Sequence, residues 1–233
     1  MAQNRSISES FPIPRGEVAR VGEDARPILS QRGARLTGLA LSLTLVLGWG
    51  WIAAAAVLPA VGLQSQATPP APACTSETRP TPSQTQGPFY KTGSPLRTVL
   101  AEPNMAGTKL ILTGYVLSRG DCKAVAGAWL DFWQADDRGD YDNAGYQLRG
   151  HQFADSAGIY YLETVVPGVY PGRTRHIHVK VRAPNGPTLT TQIYFPGEPR
   201  NQDDGLFNQA LLANVRNDAA GRVATFNFIV KKH

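Results

Sequence analysis

His176 and His178 stand two residues apart in the run HIHVKVR (176–182), which reads as a β-strand. Side chains at i and i+2 of a strand point to one face. Two imidazoles on one face, with Cα atoms roughly 6–7 Å apart, can converge on one metal ion. Alone, the pattern also describes an exposed strand with two polar residues. Tyr170 lies in PGVYPG (167–172), directly before that strand, where two Pro–Gly pairs fix a rigid loop. It could be a ligand or a turn aromatic covering the core. Tyr141 closes the polar loop DDRGDY (136–141), where a surface tyrosine is the other reading.

The elements that must position these residues read as β-structure. Strands are expected over 109–117, 128–134, 160–165, 176–182, 189–195 and 223–230. In 128–134, Leu130 and Phe132 alternate with Trp129, Asp131 and Trp133. Only LFNQALLANV (206–215) reads as a helix. Turn residues at short spacing between the strands indicate an all-β sandwich or barrel, with that one short helix near the C-terminus. There are no internal repeats.

The 233 residues allow one domain plus extensions. A hydrophobic share of 42% with 18 Pro and 23 Gly fits a turn-rich globular protein. Residues 1–35 are polar and read as a disordered cytoplasmic tail. Residues 36–58 carry no charge and are long enough to span a bilayer as a helix, either an anchor or a signal segment. Arg32 and Arg35 precede this run and the next charge is Glu77, which puts the N-terminus in the cytoplasm and the remainder outside it. Residues 59–73 read as a Pro-rich tether, and the folded domain is expected over 74–233. Of the net charge of +5, the six arginines and four acids up to Arg35 account for +2. The rest is scattered and shows no basic run with interleaved aromatics, so nucleic-acid binding has little support. Cys74 and Cys122 are too few for a structural zinc site. They are either two free thiols or one disulfide, and an extracytoplasmic domain favours the disulfide.

Taken together, TPSQTQGPFY (81–90), DFWQADDRGDY (131–141), DSAGIYYLETVVPGVYPGRTRHIHVKV (155–181) and TTQIYFPG (190–197) resemble the intradiol ring-cleavage dioxygenases, the protocatechuate 3,4-dioxygenase and catechol dioxygenase superfamily. The motifs follow the family's order over most of the chain from about Cys74. The resemblance implies a β-sandwich and a non-haem Fe(III) held by Tyr141, Tyr170, His176 and His178. It implies a catechol-type substrate and O2, with the ring opened between its two hydroxylated carbons. It places Arg173 and Gln192 beside the substrate, and the tyrosinate displaced by substrate is assigned to Tyr141. Phenolates are hard anionic donors that favour Fe(III) over Fe(II). An unperturbed tyrosine has a pKa of about 10, so the metal must draw off the proton.

Gln86 stands where the family often has an acid, and Cys74 lies further from Thr81 than is usual. The helical linker domain typical of catechol 1,2-dioxygenases is missing from the sequence. Arg175, His151 and His233 are expected at the surface, and Trp129 and Trp133 in the core or pocket wall. Pro88, Phe89 and Tyr90 resemble the family's segment near the substrate mouth. Two other classes compete: a membrane-tethered β-sandwich binding module without catalysis, and a cupin-type Fe(II) enzyme, which would need a carboxylate or third histidine. The sequence leaves open which catechol derivative is cleaved and the oligomeric state.

Overall fold

The computed structural model describes residues 68–219 and 221–232. The expected tail, the apolar run 36–58, most of the tether and His233 lie outside these residues. Among the described residues no helix is long and apolar enough to cross a membrane.

Among the described residues nine strands form in the order β1 (Lys109–Ser118), β2 (Trp129–Trp133), β3 (Arg149–Phe153), β4 (Ile159–Val165), β5 (His176–Arg182), β6 (Thr188–Tyr194), β7 (Asn214–Asp218), β8 (Gly221–Thr225) and β9 (Phe228–Val230). One sheet runs β4-β1-β8-β7, with β9 also paired to β1; the other is antiparallel, in the order β3-β2-β5-β6. Alternation along each strand decides which side faces inward. Leu110, Leu112 and Val116 of β1 and Leu162 of β4 meet Leu130 and Phe132 of β2 and Ile177, Val179 and Val181 of β5 in one buried core. Each such side chain contributes about 1.5–3 kcal/mol by leaving water. The expected all-β sandwich is therefore present.

This inward commitment fixes the other face. With Ile177 and Val179 in the core, His176 and His178 must project from the outer face of the four-stranded sheet. Trp133 lies directly across the ladder from His178 and shares that face. The face is not left to solvent. A strap from Thr81 to Ser94 crosses it, held by Gln84 N–H on the Thr190 carbonyl (2.8 Å) and by Tyr90 and Ser94 hydroxyls on the Asp131 carboxylate (3.1 and 2.7 Å). Upstream of the strap, Cys74 and Cys122 form a disulfide with Cα atoms 5.8 Å apart.

Two expectations about elements need correction, and one strand was not expected. The helix over 206–215 is a single 3-10 turn, Gln209–Leu211, followed by β7. Asn208 caps the turn through its side chain on Ala210 N–H, after which Ala213 N–H bonds the Tyr194 carbonyl. Pairing to β6 thus pulls the chain straight where local propensity favours a helix. The strand over 223–230 is two strands, β8 and β9, because Phe226 N–H turns to the Thr113 carbonyl and the Asn227 side chain takes Tyr115 N–H. The unforeseen β3 has the sequence RGHQF, with no apolar alternation to announce it; its register comes from the ladder to β2.

Candidate metal and substrate site

His176 and His178 are buried, at 4% and 3% exposure, with their Nε2 atoms 3.1 Å apart. Nδ1 of His176 lies 2.6 Å from the Thr174 carbonyl. A carbonyl only accepts, so Nδ1 carries the proton and Nε2 presents a lone pair. Burial pulls the His176 pKa down to about 4, with the Thr174 hydrogen bond opposing. Burial, then the neighbouring His176 and Arg173, hold His178 well below the usual imidazole range. Both rings are thus neutral donors near neutral pH. His178 Nδ1 is buried with no partner among the described residues. The ring is oriented instead by the Trp133 indole, stacked on it at 4.9 Å with planes 6° apart.

Tyr141 Oη lies 3.5 Å from His176 Nε2. Burial raises this phenol's pKa, and the Arg173 and Arg149 charges pull the other way. The Tyr141 ring stacks on Phe89 of the strap at 4.4 Å and meets the Tyr170 ring edge-on at 6.0 Å. Two loops bring the phenols together. The Asp136 carboxylate caps the backbone N–H groups of Arg138 and Asp140, shaping the loop before Tyr141. Gly168 N–H bonds the Asp136 carbonyl at 2.6 Å. A Cβ at Gly139 would lie 2.4 Å from the Val169 carbonyl, and one at Gly168 would lie 2.3 Å from Gly139 N. Only glycine at both positions lets the two loops approach backbone to backbone.

Beside these four residues lies a second group. Arg173 Nε donates to both Asp204 carboxylate oxygens (3.1 and 2.9 Å), and its Nη2 donates to Gln192 Oε1 (2.6 Å) and Tyr194 Oη (3.2 Å). Gln192 is fully buried and its amide donates to the Thr85 carbonyl of the strap at 3.0 Å. Burial would raise the Asp204 carboxyl. Hydrogen bonds from Thr174 N–H, Leu206 N–H and Arg173 outweigh it, and the group is lowered overall. Asp204 therefore stays ionised and fixes Arg173. Arg173 Nη1 makes no hydrogen bond among the described residues, which leaves it available to an anionic ligand.

All six residues singled out in the sequence (Tyr141, Tyr170, His176, His178, Arg173 and Gln192) thus lie in this one region. Two bland expectations do not hold. His151 is half-buried, its Nδ1 2.7 Å from the Ser94 carbonyl. Arg175 bonds Glu198 Oε1 at 2.8 Å and the Pro167 carbonyl, bracing the loop that carries Tyr170. Gln86 accepts from Lys180 Nζ at 2.9 Å, so the amide does there what an acid would. Asp204, Tyr194 and Arg149 were not singled out as functional, and Phe89 only within a segment resembling the substrate mouth. Asp204 sits in DDGL, a string that signals only a turn.

The donors suit a trivalent iron better than a divalent metal: two neutral imidazoles beside two phenols, with the Nε2 atoms converging. Among the described residues no group of three or more His, Cys, Asp or Glu could hold an ion. The carboxylate or third histidine that a cupin-type Fe(II) centre requires is therefore not built among them.

A family model described as Dioxygenase matches residues 85–231. The catechol 1,2-dioxygenase of Pseudomonas sp. (strain EST1001) is 30% identical over 154 residues, which is 54% of this chain and 51% of that enzyme. The dioxygenase domain of a dioxygenase carbohydrate-binding protein fusion from the cellulolytic bacterium Streptomyces sp. SirexAA-E is 54% identical. It superposes with a TM-score of 0.65 over 66% of this chain and all of that one. The 3-chlorocatechol 1,2-dioxygenase of Rhodococcus opacus 1CP is 25% identical, with a TM-score of 0.62 over 68% of this chain and 76% of that one. The chain spans about half the length of the catechol and hydroxyquinol dioxygenases it matches, 51% and 53%.

Proposed function

The chain belongs to the intradiol ring-cleavage dioxygenase family, and we propose from this that it is a non-haem Fe(III) enzyme. It uses O2 to open a catechol-type ring between the two hydroxylated carbons. The observation that carries the proposal is that His176 Nε2 lies 3.5 Å from Tyr141 Oη and 3.1 Å from His178 Nε2. Tyr141, Tyr170, His176 and His178 would hold the ion. Bound there, ferric iron supplies the electron withdrawal that makes a chelated catecholate reactive toward O2.

The protein's own residues do the rest. A catechol must shed two protons to bind as a dianion, so a base must stand at the site. We assign that role to Tyr170 rather than to Tyr141. Tyr141 is stacked face to face on Phe89 with its hydroxyl beside His176. Among the described residues the ring contacts of Tyr170 are edge contacts, with Phe89 at 5.3 Å and Tyr141 at 6.0 Å. Tyr170 can turn aside and take one of the two substrate protons at Oη, the other passing to hydroxide from solvent. Arg173, held by Asp204, sets a fixed positive charge toward the ring as negative charge develops. Such a preorganised donor contributes about 10²–10³ in rate. Gln192 keeps Arg173 in register with the strap. The strap and the Phe89 ring wall the site from water. The disulfide supports an oxidising compartment for the domain.

The test is optical. Phenolate-to-Fe(III) charge transfer absorbs visible light, so protein reconstituted with ferric iron should be coloured. Anaerobic addition of a catechol should shift the band, and admitting O2 should restore it as oxygen is consumed. A colourless protein with a full iron complement rejects the proposal, and so does a coloured one that takes up no oxygen across a panel of catechol, protocatechuate, hydroxyquinol and larger lignin-derived catechols.

A further inference from the structure

Arg149, at the start of β3, is 1% exposed, yet none of its hydrogen bonds reaches a carboxylate. Its Nε and Nη2 donate to the Asp142 carbonyl (3.2 and 2.9 Å), and Nη1 donates to the Phe89 carbonyl (2.6 Å). The Asp142 carboxylate is occupied elsewhere, capping the N–H groups of Ala144, Gly145 and Gln147. A second cation works beside it. Lys91 Nζ, on the strap, donates to the carbonyls of Asn143, Ala144 and Gly145 at 3.3, 3.0 and 2.7 Å. Five main-chain carbonyls, one on the strap and four on the loop after Tyr141, thus close on two positive charges.

A buried guanidinium with no ion-pair partner in hydrogen-bond contact is costly, and an apolar residue of like volume would serve packing better. Its three carbonyl bonds join just two segments, and those segments carry the two faces of the Phe89–Tyr141 stack. We propose that Arg149, seconded by Lys91, is a positioning residue that sets the spacing between the strap and the Tyr141 loop. It thereby holds Tyr141 against Phe89 and in reach of the histidines. The inference rests on the reading of Tyr141 as a site phenol. In this role both act through main-chain carbonyls, with the Arg149 charge also felt by the Tyr141 phenol.

The full-length protein, with and without iron, tests this by segment-resolved amide hydrogen exchange in Arg149→Lys, Arg149→Met and Lys91→Met. In Arg149→Met, residues 85–91 and 141–147 should both exchange about ten-fold faster or more, while β1 and β5 keep wild-type protection. Arg149→Lys keeps the charge but cannot span both carbonyls, so it should fall between. Lys91→Met should loosen 143–147 and spare Phe89. In the iron-loaded protein, Arg149→Met should lower kcat by about 10²-fold, the scale of a misplaced reacting group, with a smaller change in KM and partial recovery in Arg149→Lys. Wild-type exchange in both segments would overturn the proposal. So would faster exchange throughout the sandwich in Arg149→Lys, which would make Arg149 a general core residue. If the exchange pattern follows but wild-type protein cleaves no catechol, the clamp stands and the catalytic reading falls.

Discussion

Replacing His178 with alanine is expected to reduce iron retention and ring cleavage by about 10³-fold or more while leaving the sandwich folded. Loss of a group that merely orients a ligand costs about 10–100-fold in affinity or activity, and loss of the ligand itself must cost more. The buried Nε2 of His178 lies 3.1 Å from that of His176, and no third histidine joins the pair among the described residues. The fold should survive. The ring projects from the outer face of the sheet, away from the core of Ile177 and Val179, and its unpartnered Nδ1 contributes no hydrogen bond. Iron content after gel filtration, oxygen uptake and a thermal melt check this together. An alanine variant that keeps one iron per chain and turns over would remove His178 from the site.

The second large effect separates the two phenols. Tyr141→Phe should remove most of the visible band and reduce turnover by about 10³-fold or more, since it deletes the stacked donor beside His176. Tyr170→Phe should keep a weakened band from Tyr141 and still bind catechol. Its kcat should fall by about 10²–10⁴-fold, the range for removing a positioned base. The measurements are absorption of the two loaded variants and anaerobic catechol titration. If the phenotypes are exchanged, with the band surviving in Tyr141→Phe and lost in Tyr170→Phe, the roles revert to the assignment made from the sequence.

What was legible in the sequence divides along a physical line. The strands with apolar periodicity and the H-x-H face were readable because side-chain direction in a strand follows from position alone. Gly139 and Gly168 stood in the motifs, but why the chain needs them emerges only where two loops meet. Asp204 and Arg149 were not readable as site residues at all. Their work depends on partners 31 residues away for Arg173 and Asp204, and 60 residues away for Arg149 and Phe89. No local pattern encodes such pairings. The helix expected over 206–215 failed for the same reason, since pairing with Tyr194 overrode local preference. Arg175 and His151 read as surface residues in the sequence because a lone basic side chain carries no sign of the carbonyl it will meet.

A single turnover under ¹⁸O2 bears most directly on the claim that this site opens a catechol between its hydroxylated carbons. The iron-loaded protein should yield a cis,cis-muconate-type diacid carrying label from both atoms of one O2 molecule, one in each new carboxyl group. A ring opened beside the diol, or an unlabelled product, would contradict the account.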